Sequence, residues 1–107
     1  MAKQLKITYN NKVYTLEFTR ASIRQLESSG FKIASLDDAP VTAILDFVAG
    51  AFVAHHRFEK RAVIEEIYDN LKNKSGFLEK LVELYSEPVL SLMEDNDAGN
   101  AEWTLTE

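Results

Sequence analysis

From Leu5 to Phe18 apolar and polar residues alternate, and from Thr19 to Glu94 apolar residues recur at intervals of three and four. Side chains point to opposite faces of a strand with period two and return to one face of a helix every 3.6 residues, so a hairpin followed by helices is predicted. Leu5, Ile7 and Tyr9 alternate with Gln4, Lys6 and Thr8. After Asn10-Asn11-Lys12, the residues Tyr14, Leu16 and Phe18 alternate with Val13, Thr15 and Glu17. Asparagine tolerates the positive φ of a tight turn, so residues 4–18 read as two antiparallel strands. An isolated hairpin is marginal in water, and its face of Leu5, Ile7, Leu16 and Phe18 must pack on the helices.

Thr19 is placed to cap a helix over residues 20–29 that carries Ile23 and Leu26 and stops at Gly30. Phe31 and Ile33 are expected to pack back on it. Ser35 to Pro40 reads as a loop ending in a capping aspartate, with proline tolerated in the first helical turn. A core helix over 40–56 shows a wide stripe of Ile44, Leu45, Phe47, Val48, Ala51, Phe52 and His55. Gly50 lowers its helicity by roughly 1 kcal/mol and points to a close neighbour at that position. A helix over 60–72 presents Val63, Ile64, Ile67, Tyr68 and Leu71, with Glu65, Glu66 and Asp69 on its wet side. Another over 75–93 carries Phe77, Leu78, Leu81, Val82, Leu84 and Tyr85, with a kink or break expected at Ser86-Glu87 before Pro88. Residues 95–107 form a flexible acidic tail too poor in apolar surface to fold alone. The expected architecture is α+β and mainly helical: one domain over 1–94, with the hairpin packed on about four helices.

Composition narrows the function classes. A chain of 107 residues, 46% hydrophobic, has room for one core but not for a deep internal pocket as well. Seventeen acidic against twelve basic residues give a formal charge of −5, with the bases scattered, which opposes binding to a phosphate backbone. There is no cysteine, hence neither disulfide nor thiolate metal site, in keeping with a reducing cytoplasm. The first six residues hold no apolar run for a signal peptide. Val41 to Ala54 is too short to span a bilayer and contains Asp46.

His55-His56 is the one metal-like feature, with Glu59 four residues after His55. Adjacent helical residues point about 100° apart and do not readily share an ion, so no metal or cofactor is expected. The simpler reading leaves His55 partly buried and His56 at a helix C-terminus, where its charged form suits the macrodipole. Glu65-Glu66 and Asp37-Asp38 lack environments that would split their pKa values, and no serine has a nucleophile context, so catalysis is not expected. Trp103, the only tryptophan, follows the acidic linker, and an extended segment would point it and Leu105 to one side. Such an arm either docks on a partner or folds back on its own domain.

The segments Tyr14 to Phe31, Gly50 to Arg57, Ile64 to Leu71 and Gly99 to Trp103, in that order along nearly the whole chain, resemble the small tail assembly chaperones of long-tailed bacteriophages and their prophages. The resemblance implies binding of the tape-measure protein, the tail-tube protein or both during tail assembly, in the cytoplasm of a bacterial host, and absence from the finished virion. In many relatives a ribosomal frameshift near the C-terminus yields a longer form. The expected binding surface comprises Tyr68, Leu71, Leu84 and Tyr85, with Trp103 and Leu105 as a second contact; no nucleic acid or membrane is involved, and homo-oligomerisation stays open. The rival reading is a small regulatory or nucleic-acid-mimicking protein, with Glu65, Glu66, Asp69, Glu79 and Glu83 imitating phosphates.

Overall fold

The computed structural model describes residues 3–106. Strands β1 (Leu5–Tyr9) and β2 (Lys12–Leu16) form a two-stranded antiparallel sheet, with Leu5 opposite Leu16 and Ile7 opposite Tyr14. Asn10 and Asn11 both have positive φ, 51° and 65°, as the two-residue turn that matches strand twist demands. Five helices follow: α1 (Arg20–Ser28), α2 (Ser35–Asp38), α3 (Pro40–His56), α4 (Arg61–Asp69) and α5 (Lys74–Ser91). The expected α+β, mainly helical architecture is therefore present, with one short helix more than the sequence suggested.

The inner hairpin face delivers Ile7, Tyr14 and Leu16 to a single core that also holds Phe18, Ile23, Leu26, Phe31, Phe47, Phe52, Ile67 and Leu81. Helix α3 is its axis, touching β2, α1, α2 and α4. Around Phe47 the aromatic rings stack: Phe18 lies 5.2 Å away and Phe31 5.5 Å, near parallel, while Tyr85 stands edge-on at 5.5 Å. Offset-stacked and edge-to-face pairs at such distances add about 0.5–1.5 kcal/mol each beyond their buried area. Gly50 allows α1 to approach, since a Cβ there would lie 2.9 Å from Cδ2 of Leu26.

Helix α1 begins as expected at Thr19, whose hydroxyl accepts from the Ser22 N–H at 3.0 Å, while the Ser22 hydroxyl accepts from the Thr19 N–H at 2.9 Å. It ends before Gly30, φ +101°. Several expectations are corrected. Residues 35–38, read as loop, close one helical turn. Ala39 rather than an aspartate precedes α3, and no side chain caps it. Phe31 packs inward, but Ile33 is exposed. Helix α4 stops at Asp69 instead of 72, because Asn73 adopts a left-handed conformation, φ +53°, to start α5, where its side chain accepts from the Gly76 N–H. Helix α5 runs through Pro88 without a break and ends at Ser91.

The chain measures 58 × 30 × 26 Å with a radius of gyration of 16.3 Å. A compact domain of this length has about 13 Å. The exposed segment after α5 accounts for the excess: among residues 95–106 only a turn closed by Asn96, which accepts from the N–H groups of Ala98 and Gly99, departs from irregular chain. Among the described residues no helix is long and apolar enough to cross a membrane.

Candidate functional site

The two histidines close the junction between hairpin and α3, each with a different partner. Nε2 of His56 accepts from the Thr15 backbone N–H at 3.0 Å, so its own proton sits on Nδ1. Nε2 of His55 lies 2.7 Å from Oε1 of Glu17, and since a carboxylate only accepts, the imidazole donates. The same oxygen accepts from Nε2 of Gln4 at 3.1 Å, and the Glu17 N–H donates to the Ala51 carbonyl at 3.1 Å. The hydrogen bonds from His55 and then Gln4 hold the buried Glu17 carboxyl below its ordinary pKa against desolvation.

This arrangement reverses the expected roles: His55 is the more exposed and His56 is half-buried, its edge against Tyr14 and Phe52. Desolvation, followed by the charges of Lys12 and His55, lowers the His56 pKa, so it is a neutral acceptor and not a cation at the helix end. Glu59 pairs with Lys12 at 3.7 Å. No group of three or more metal-ligating side chains occurs among the described residues. These contacts fix the hairpin on the helix and give the Nε2 of each imidazole a protein partner.

The residues expected to form the binding surface are separated by the fold. Leu84 and Tyr85 are 5% and 7% exposed and belong to the core, Tyr85 with its ring edge-on to Phe18 and Phe47. They are withdrawn as surface residues. Tyr68 and Leu71 are half-buried: Tyr68 lines a shallow cleft of about 210 Å³ with Val41 and Ile44, and Leu71 a groove of about 350 Å³ with Ile7 and Phe77. Trp103 and Leu105 stand in solvent, at 87% and 81% exposure. The acidic positions on α4 and α5 are partly engaged: Glu65 pairs with Arg61 at 2.9 Å, Glu66 accepts from Tyr9 at 2.9 Å, and Glu83 pairs with Lys80 at 3.5 Å.

Two features were not singled out by the sequence reading. At the end of α5, Leu90, Leu92 and Met93 are exposed, Met93 at 84%, and lead into the segment with Trp103. The signal was available: Val89, Leu90, Leu92 and Met93 point all round a helix end that cannot be covered on every side. Beside them runs a groove of about 380 Å³, floored by Phe18, Leu84 and Pro88 and edged by Glu87, Glu94 and Lys3. The second feature is Phe58, whose even spacing with the other aromatics suggests a core position but which is 90% exposed in the α3–α4 turn, with the Arg57 guanidinium 5.2 Å from its ring centre. A lone aromatic inside Arg-Phe-Glu-Lys-Arg was its sequence signal.

Comparison with known protein families matches residues 1–106 to one described as a domain of unknown function, DUF5055. The chain belongs to the DUF5055 family. The match spans the hairpin, all five helices and the exposed segment through Thr106, so these form one family unit. No curated protein and no solved structure matches this DUF5055 chain.

Proposed function

We propose that this DUF5055 protein is a tail assembly chaperone of a long-tailed phage or prophage. It acts without catalysis in the cytoplasm of the bacterial host and holds tape-measure protein, tail-tube protein or both until they assemble. The observation that carries the reading is the exposed apolar end: Leu90 in the last turn of α5 and Leu92 and Met93 directly after it, followed by Trp103 and Leu105. Exposed apolar clusters on small domains mark protein contacts, and here they stand in an acidic setting that keeps the free chaperone soluble. A partner whose own apolar segments need covering would bury these side chains, each contributing about 1.5–3 kcal/mol on full burial.

Affinity of the full chain for a soluble tape-measure fragment tests the reading. Replacing Trp103 and Leu105 with alanine, and separately Leu90 and Met93 with serine, weakens binding by roughly tenfold or more per pair, with little change when salt is raised. Unchanged affinity in both variants, or binding that collapses with ionic strength, would refute it.

A further inference from the structure

The molecule carries a mismatched pair of ends. Near the open end of the hairpin lies the groove floored by Phe18, Leu84 and Pro88, and its acids Glu87 and Glu94 make no ion pair among the described residues. Pro88 brings no N–H to the Leu84 carbonyl, so the helix wall adds a further acceptor without its usual donor. Roughly 15 Å away along the strands, at the turn end where Glu59 pairs with Lys12, the α3–α4 connection projects Phe58. Arg57 lies across that ring and Lys60 follows, and neither makes an ion pair among the described residues, whereas Lys12 and Arg61 are engaged by Glu59 and by Asp46 and Glu65.

We propose that these ends fit each other between copies: Phe58 of one copy enters the groove of the next, placing Arg57 and Lys60 against Glu87 and Glu94. Charge complementarity selects this occupant. The groove holds one cation, Lys3, against Glu87 and Glu94, so the chain's own exposed C-terminal segment, with Asp95, Asp97 and Glu102, meets an acidic excess that repels it, while the Phe58 turn presents the apolar ring flanked by two cations. Because the two surfaces differ and lie at opposite ends of the hairpin, the contact is heterologous, and copies add head to tail. This inference goes beyond the chaperone reading and does not depend on it.

Sedimentation of the full chain tests the contact. The wild type associates progressively with concentration, and association weakens as salt rises. Phe58→Asp, which spoils the turn, and Glu87→Lys with Glu94→Lys, which spoils the groove, each weaken association by roughly thirtyfold while circular dichroism keeps its helical signal. Mixed, the two variants form a heterodimer and nothing larger, because only one intact turn and one intact groove remain to meet. Phe58→Ala substituted for the first variant gives the same mixture. A wild type that stays monomeric at its highest soluble concentration, association that survives Phe58→Asp, or folded variants that fail to pair on mixing would each overturn the proposal.

Discussion

The Thr15 backbone N–H donates to Nε2 of His56 at 3.0 Å, tying the middle of β2 to the last turn of α3. The bond exists only while the imidazole is neutral, and the surroundings favour that form. Burial comes first, then the charges of Lys12 and His55, with Glu59 opposing, and together they lower the pKa from 6.5. The unfolded chain therefore takes up a proton near pH 6.5 that the folded chain refuses until lower pH. Stability falls as pH drops below 6.5 and levels off once the folded value is passed. Glu17 acts in a lower window. Its pKa is depressed from 4.5, so its contribution is complete above 4.5 and is lost as pH falls through the folded value. Urea midpoints over a pH series should show both declines. His56→Gln, which keeps an acceptor for Thr15 but does not titrate, should remove the upper decline and leave the lower.

Phe47 is fully buried between Phe18, Phe31 and Tyr85. Its replacement by alanine leaves a cavity walled by three rings from separate segments, Phe18 between β2 and α1, Phe31 after α1 and Tyr85 on α5, none of which can collapse without moving its backbone. Phe47→Ala should cost about 3–5 kcal/mol, a large share of the roughly 5–15 kcal/mol that holds a domain of this size together. The loss is read from urea unfolding at neutral pH.

The change of period at Thr19 made the hairpin and the four long helices legible, and Asn10-Asn11 and Gly50 were legible because few residues suit a positive φ or a close helix contact. What escaped was rotation. On a wide apolar stripe the sequence does not say which of two neighbours faces inward, so His55 and His56 were exchanged, and Leu84 and Tyr85 were assigned to an exposed face although Tyr85 packs in the core and Leu84 shows only an edge at the floor of a groove. Helix rotation is set by the aromatic packing around Phe47 and Phe52, which is a property of the assembled core. The one-turn α2 has too few residues to show a period, and its place was read as loop.

Gly50 faces Leu26 across the contact between α1 and α3. Alanine would raise helix propensity by about 1 kcal/mol, but its Cβ would lie 2.9 Å from one Leu26 methyl and 3.2 Å from the other. Those atoms are the end of a flexible side chain, and an off-rotamer shift costs about 0.5–1.5 kcal/mol. Gly50→Ala should therefore be neutral to within about 1 kcal/mol. Gly50→Leu, which has to separate the helices, should lose about 1–3 kcal/mol or more. Thermal unfolding of the two variants side by side checks the contrast.

The turn at Asn10-Asn11 holds two consecutive left-handed residues, at φ 51° and 65°. Outside glycine, that conformation costs roughly 1–2 kcal/mol per residue, and asparagine reduces the cost through local hydrogen bonding. Asn11→Ala should destabilise the fold by about 1 kcal/mol, and Asn11→Gly should be neutral or stabilising. The opposite signs separate backbone strain from loss of the side chain, because both substitutions remove the same amide.

Pro88 sits one turn before the end of α5, just beyond the core positions Leu81, Leu84 and Tyr85. An interior proline costs a helix about 3 kcal/mol, through the missing N–H and the clash with the carbonyl four residues earlier. Only Val89, Leu90 and Ser91 follow before the C-cap, so part of that cost is avoided by fraying. Pro88→Ala should restore a donor to the Leu84 carbonyl and stabilise the chain by about 1–2 kcal/mol, with an increase in helical circular dichroism. It also removes a ring from the groove floor. A gain in thermal stability accompanied by weaker self-association would mean that proline is kept at this position for the surface it shapes, at the expense of the helix that carries it.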